Sequence, residues 1–231
     1  MMDISLIIFD CDGVLIDSEA IYLQVERAFL QSKGVDIDPV WYVGEFMALA
    51  QPLWRQKLSD LLVEHTGAPL SEDDYAALKA ESRSRVMNEV TPIKGVEALL
   101  ASLKVPKCVA SSTQMQFLPG KLEHTGLARF FDRGVYSGDM VENGKPAPDL
   151  FLHAATQMGG HDASRCIVVE DSANGVRGGK AAGMFTIGFL GGGHAIGNHG
   201  QTLFDAGADI VLDDHAALSQ WLSANTGAIA A

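Results

Sequence analysis

Four short stretches of the sequence carry side chains that could act on one chemical group. Asp10 and Asp12 stand at i and i+2 in Asp10-Cys11-Asp12-Gly13-Val14, directly after the apolar run 6–9. Gly13 would let the chain turn away at that point. Ser111-Ser112-Thr113 closes a second apolar run, Gly144-Lys145-Pro146 lies in a later loop, and Glu170-Asp171 closes a third run. Together these offer an anionic nucleophile, a second carboxylate for proton transfer, hydroxyl donors, a cation and oxygen ligands for a hard metal ion such as Mg2+. Such a set suits phosphoryl transfer, where catalysis is mostly positioning and charge neutralisation. Each stretch alone has a plainer reading. The aspartates could form a turn or a bare calcium site, Ser111 a strand-end cap, Lys145 a solvated lysine, and Glu170-Asp171 the cap of a following helix.

The elements around these groups predict where they meet. Residues 6–9, 107–110, 166–169, 185–189 and 209–212 are continuous apolar runs, as expected of strands buried on both faces. Helical patterns alternate with the later runs: Val96, Leu99, Leu100 and Leu103 share a face, as do Leu150, Phe151 and Ala154 after a proline expected at N1, Pro148. The fold class is therefore α/β, a Rossmann-like doubly wound parallel sheet. In such sheets ligands bind beyond the carboxyl ends of the strands, where all four stretches fall. Residues 16–90 break the alternation with no strand-like run. Ser18 is expected to cap a first helix that Gly34 stops, Asp38-Pro39 to open a second, Pro52 a third that Gly67 ends, and Ser71-Glu72-Asp73-Asp74 to form a capping box before a fourth. The division expected is a core of residues 1–15 and 91–231 with an all-helical insertion over 16–90.

The whole-chain figures narrow the partners. The 231 residues hold 17 Lys and Arg against 29 Asp and Glu, a net charge of −12. A surface this acidic disfavours nucleic acid and anionic membranes, which select basic faces. No apolar run approaches the ~18 residues that span a bilayer, and the N-terminus lacks the basic start and long apolar stretch of a signal peptide. Three widely spaced cysteines do not form a disulfide framework and read as small buried hydrophobes in a reducing, cytoplasmic setting. The oligomeric state stays open, with a monomer as the default. Gly191-Gly192-Gly193-His194 and His199 match neither a P-loop nor a zinc spacing, and are expected to form a mobile surface loop near the site. The other five histidines have no assigned role.

The four stretches, in this order and spacing, resemble the four-motif signature of the haloacid dehalogenase superfamily. The likeness spans the chain, including a helical cap between the first two motifs. Residues 142–149 and 169–176 are similar to its β-phosphoglucomutase and sugar-phosphatase branch. By that resemblance Asp10 is the nucleophile that forms an aspartyl-phosphate and Asp12 the general acid/base, with a pKa that must rise. Ser111 and Lys145 hold the phosphate, with Ser112 as a lesser candidate; Asp17 and Ser112 could shape the site, or serve equally well as a cap or turn. Asp10, Asp12 (through its backbone carbonyl) and Asp171 bind Mg2+, supported by Glu170.

Departures from relatives sharpen the expected activity. Dehalogenases lack the second aspartate and need no magnesium. Phosphonatases need a cap lysine for a Schiff base, for which Lys33 and Lys57 are weak candidates. β-Phosphoglucomutases carry a histidine ten residues past the acid/base aspartate, where this chain has Tyr22, and a cap-loop arginine, whereas residues 44–50 here include no basic residue. The expectation is a Mg2+-dependent phosphomonoester hydrolase acting on a small sugar or sugar-acid phosphate, with water as acceptor. Arg55, Lys57, Lys79 and Arg83 are candidate cap contacts to that substrate, or else plain helical surface charge. The alternatives are a phosphosugar mutase and a catalytically inactive binding module.

Overall fold

In the computed structural model, which describes all residues except 47, 48, 50, 132, 133, 230 and 231, the apolar runs form a parallel sheet. Its strands are β1 (Leu6–Phe9), β2 (Lys107–Ser111), β3 (Val135–Ser137), β4 (Cys166–Glu170), β5 (Phe185–Phe189) and β6 (Ile210–Leu212). The order is β3-β2-β1-β4-β5-β6, with every neighbouring pair parallel. This is the Rossmann-like architecture expected. β1 and β4 are buried at every position, because both faces are covered. Side chains alternate across the pleat. Ile7, Phe9, Val109, Ile167 and Ile187 enter one core layer. Leu6, Ile8, Cys108, Ala110 and Val168 enter the other, packed on Leu150, Phe151 and Ala154.

The helices are α1 (Ser18–Ser32), α2 (Pro39–Phe46), α3 (Gln51–Thr66), α4 (Glu72–Glu89), α5 (Val96–Ser102), α6 (Leu118–His124), α7 (Asp149–Gln157), α8 (Ala173–Ala181), α9 (His199–Asp205) and α10 (His215–Asn225). α1 to α4 follow β1 without an intervening strand, and α1 packs on α4. Their starts follow the expected chemistry in two cases. The Asp38 carboxylate accepts from the Trp41 N–H at 2.9 Å, and Ser71 Oγ accepts from the Asp74 N–H at 3.1 Å. Ser18 does not cap α1. Asp17 holds that position without a side-chain capping bond, because the Ser18 hydroxyl is turned into the site instead. Pro148 lies one position earlier than expected, at the N-cap of α7.

β3 and α6 had no clear pattern in the sequence. β3 is three residues long, too short to show a period. α6 places a lysine, Lys121, between Leu118 and Leu122 on its buried side, so its apolar stripe is interrupted. All three cysteines are buried and free, Cys108 and Cys166 in strands and Cys11 in the turn after β1. Among the described residues no helix is long and apolar enough to cross a membrane. Residues 47, 48 and 50, in the stretch noted for lacking a basic side chain, lie outside the described residues.

Candidate active site

The carboxyl ends of β1, β2 and β4 deliver the predicted residues to one place. Asp10 leaves β1 with its N–H donating to the Val169 carbonyl at 2.9 Å, which fixes the turn to the neighbouring strand. Lys145 Nζ sits between the strands. It donates to Asp10 Oδ1, to Glu170 Oε1 at 2.5 Å and to the Ala110 carbonyl at 2.9 Å. Glu170 Oε2 accepts from the N–H of Ser172 at 3.1 Å and from its hydroxyl at 2.9 Å. Ser172, not Glu170 or Asp171, caps α8, accepting from the Gly175 N–H at 3.0 Å. A Cβ on Gly175 would lie 1.9 Å from the Glu170 carboxylate, so glycine is what lets α8 cover it. Glu170 thus serves as a counterion that orients Lys145.

One lysine faces three buried carboxylates here, Asp10, Glu170 and Asp171. Burial raises the Asp10 pKa well above the ordinary carboxylate range. Lys145 opposes that shift, and Glu170 and Asp171 reinforce it. Burial likewise raises Asp171, with Glu170 adding to it. Burial pushes Lys145 down, but Asp10 and Glu170 outweigh it and hold the ammonium charged. The site therefore has negative charge beyond what Lys145 neutralises, which a hard cation would relieve. Among the described residues no three or more His, Cys, Asp or Glu side chains form a metal cage. The oxygens present suit an ion that keeps several waters and takes one or two carboxylates.

Asp12 sits among three donors. Its carboxylate accepts from the hydroxyl of Ser18, from Thr113 Oγ1 at 2.6 Å and from Lys121 Nζ at 2.6 Å. Burial pushes its pKa up, but Lys121 and the two hydroxyls prevail, and it lies below the ordinary value. Asp12 is thus held ionised by three donors, so the rise expected in its pKa would have to come from the negative charge of a bound phosphate. Ser18, Thr113 and Lys121 were not singled out by their motifs. The available signal was the lysine inside the apolar stripe of α6, since a buried cation needs a partner. Ser111 is buried at the end of β2, with its Oγ accepting from the Thr113 N–H at 3.0 Å. Ser112 lines the same cavity.

The glycine-rich stretch 191–193, expected at the surface, is only partly there: Gly193 is exposed but Gly192 is buried. It carries His194 into the interior, 3% exposed, where Nε2 donates to Asp171 Oδ2 at 3.0 Å. His199 Nε2 donates to the Asp171 carbonyl at 2.6 Å, and the two rings meet edge to face. Burial lowers both imidazole pKa values, so the neutral forms are favoured. Gly193 N–H donates to Asp17 Oδ1 at 3.0 Å, tying the loop to the start of α1. Gly13, at φ +79°, makes the close approach feasible: a Cβ there would lie 1.9 Å from Asp171 Oδ2 and 2.8 Å from His194.

Most of the reactive side chains border one cleft of about 840 Å³ between the strand ends and the helical segment. That is within the range of small-molecule sites, about 300–1,000 Å³. Asp10, Asp12, Ser111, Ser112, Lys145 and Asp171 line the core side. Glu19, Tyr22, Lys79 and Arg83 line the helical side. Burial raises Glu19 to about 8 and Tyr22 to about 12. Lys33 and Lys57, the weak Schiff-base candidates, are bound to Asp74 and Glu45, and Arg55 to Glu72; none of the three borders the cleft.

Comparison with known proteins agrees with this arrangement. The family model for haloacid dehalogenase-like hydrolases matches residues 4–183. The chain is 35% identical over 187 residues to a probable pseudouridine-5'-phosphatase from Drosophila melanogaster, covering 78% of this chain and 79% of that one. It is 31% identical over 188 residues to a 6-phosphogluconate phosphatase from Escherichia coli, covering 80% and 81%. Among solved structures, a conserved haloacid dehalogenase-like protein of unknown function from Agrobacterium tumefaciens superposes with a TM-score of 0.87 at 36% identity, covering 96% of this chain and 98% of that one. With the sheet order, the strand-end acids and the matched span in agreement, the chain belongs to the haloacid dehalogenase-like hydrolases.

Proposed function

We propose that this hydrolase is a Mg2+-dependent phosphomonoesterase acting on a small sugar or sugar-acid phosphate. The observation that carries the reading is Lys145 bridging Asp10 and Glu170 on the floor of a cleft that also presents Asp12, Ser111 and Asp171. Similarity to enzymes named as phosphatases supports it. In this account the Asp10 carboxylate attacks phosphorus in line and the alkoxide departs, leaving an aspartyl-phosphate. Water then attacks phosphorus and releases inorganic phosphate. Lys145 and the Ser111 hydroxyl hold phosphate oxygens, and Lys145 offsets repulsion between Asp10 and the anionic substrate.

Asp12 handles the proton in both halves. Its resting, ionised state suits the second half, where it takes a proton from the attacking water. An arriving phosphate adds negative charge beside it and favours the protonated form needed by the leaving alkoxide. Asp10, Asp171 and the backbone carbonyl of Asp12 are the oxygen donors proposed for Mg2+. When bound, the ion supplies positive charge to the phosphate oxygens. We further propose that α1 to α4 act as a cap over the cleft, residues 16–90 being a unit separate from the core. Tyr22, which lines the cleft where mutases have histidine, favours water over a sugar hydroxyl as acceptor.

The test is phosphate release over a panel of sugar phosphates, sugar-acid phosphates, phosphoglycolate and nucleotides, with Mg2+ and with chelator. Mg2+-dependent release from a sugar or sugar-acid phosphate supports the reading. Conversion of β-glucose 1-phosphate to glucose 6-phosphate in the presence of a bisphosphate primer would make the chain a mutase. No release from any member would make it a binding module.

A further inference from the structure

The helical wall of the cleft carries two cations that form no ion pair among the described residues. Lys79 and Arg83 are four residues apart on α4, so they project from one face a turn apart, and both line the cleft. Four other cations of the helical segment are in ion pairs, Lys33 with Asp74, Arg55 with Glu72, Lys57 with Glu45 and Arg85 with Glu89, while Arg27 on α1 has a buried Nε without a partner among the described residues and does not line the cleft. In a chain with a net charge of −12, two adjacent cations outside any ion pair are not explained by a shortage of carboxylates.

Their settings suit an oxyanion. Arg83 lies with its guanidinium carbon 4.6 Å from the ring centre of Phe117, in the segment between β2 and α6. Stacking uses the flat face of the guanidinium and leaves its N–H edge free for a bidentate contact. Lys79 is half-buried. Burial lowers its pKa, Glu26 opposes that shift, and neighbouring Arg83 and Lys121 add to it. An anion at this wall would relieve that repulsion. Asp10 and Lys145 line the core side of the cleft, where the scissile phosphate is placed by the reading above.

We propose that Lys79 and Arg83 form a second anion subsite. The preferred substrate is then a phosphate ester bearing another anionic group, a carboxylate or a second phosphate, at the end remote from the scissile phosphate. This rests on the phosphatase reading for the position of the first phosphate. Charge-assisted hydrogen bonds contribute enough to make the second group a strong determinant of specificity.

The experiment compares pairs that differ only in that group. One pair is 6-phosphogluconate against glucitol 6-phosphate, the other fructose 1,6-bisphosphate against fructose 6-phosphate. The wild-type enzyme is expected to favour the doubly anionic member of at least one pair by about tenfold or more in kcat/KM. The pair showing the preference identifies the group as carboxylate or phosphate. The ratio should fall about tenfold in Lys79→Gln and in Arg83→Gln, whose melting temperatures report that they fold. A ratio near one in the wild type, or a preference that survives in the double variant, overturns the subsite and leaves the phosphatase reading standing. If no phosphate is released from any of the four, the phosphatase reading fails. Calorimetric binding of the same pairs to Asp10→Asn then decides the subsite by the same ratio.

Discussion

His194 Nε2 donates to Asp171 Oδ2 at 3.0 Å from a position almost wholly closed to solvent. The bond explains the glycine-rich loop that precedes it, and it orients the carboxylate proposed to bind Mg2+. Partners of metal-binding carboxylates set their direction, and losing one lowers metal affinity by about 10–100-fold. His194→Ala is therefore expected to raise the dissociation constant for Mg2+ at least tenfold, read by calorimetry. His194→Gln, which keeps a donor, should recover part of the loss. Equal Mg2+ affinity in all three proteins would show that the histidine serves only packing.

Lys121 should be essential to the state of Asp12. Breaking a buried ion pair on one side costs about 3–5 kcal/mol, since it leaves a charge without a partner. Asp12 is partly exposed, so the lower end applies, about 3 kcal/mol for Lys121→Met in urea denaturation. The double variant Lys121→Met with Asp12→Asn should be more stable than Lys121→Met alone. Simple additivity of the two losses would contradict a direct coupling.

A further buried histidine, His215, predicts an acid limit to stability. His215 Nε2 donates to the Val14 carbonyl at 2.9 Å and its ring lies on Phe189, with Nδ1 buried and unpartnered. Burial lowers its pKa from 6.5 to about 4, against smaller upward pulls from the Val14 carbonyl and Asp214. The fold thus binds the neutral form, and the unfolded chain takes up the proton first. The contribution is fully present above pH 6.5 and is lost as pH falls toward 4. By pH 4.5 about 2–3 kcal/mol should be gone. Denaturation at pH 7 and 4.5 should show a difference smaller by that amount in His215→Gln. An unchanged difference would assign the acid sensitivity to other groups.

A buried carboxylate beneath α2 predicts the opposite trend. Tyr42 donates to Glu26 Oε2 at 2.8 Å, and burial raises Glu26 from 4.5 to about 7. Its protonated form is the one the fold prefers, so its contribution is fully present below pH 4.5 and is lost as pH rises through about 7. Glu26→Gln should therefore be more stable than wild type at pH 8, by about 1–3 kcal/mol, and nearly equal at pH 4.5. Destabilisation at both pH values would contradict this assignment.

What was legible in the sequence was what repeats along it. Doubly buried strands read as continuous apolar runs, so β1, β2, β4, β5 and β6 were visible, and with them the strand ends carrying Asp10, Ser111 and Asp171. Lys145 lies on a loop and was placed by the order of the motifs. Contacts across the fold were not legible. Ser18 looked like a helix cap because a serine before a helix usually is one, yet its hydroxyl goes to Asp12. Lys121 meets Asp12 across 109 residues, and no local pattern encodes that distance. His194 looked exposed because glycines mark loops, whereas here they allow a loop to pack into the interior.

The central claim is that Asp10 is the nucleophile of a Mg2+-dependent phosphomonoesterase. Its most direct test is phosphate release from 6-phosphogluconate by wild type and Asp10→Asn, each purified free of host phosphatases, with Mg2+ and with chelator. The account predicts Mg2+-dependent release by the wild type and none above background by a folded Asp10→Asn. Undiminished release by Asp10→Asn, or wild-type release indifferent to Mg2+, would contradict it.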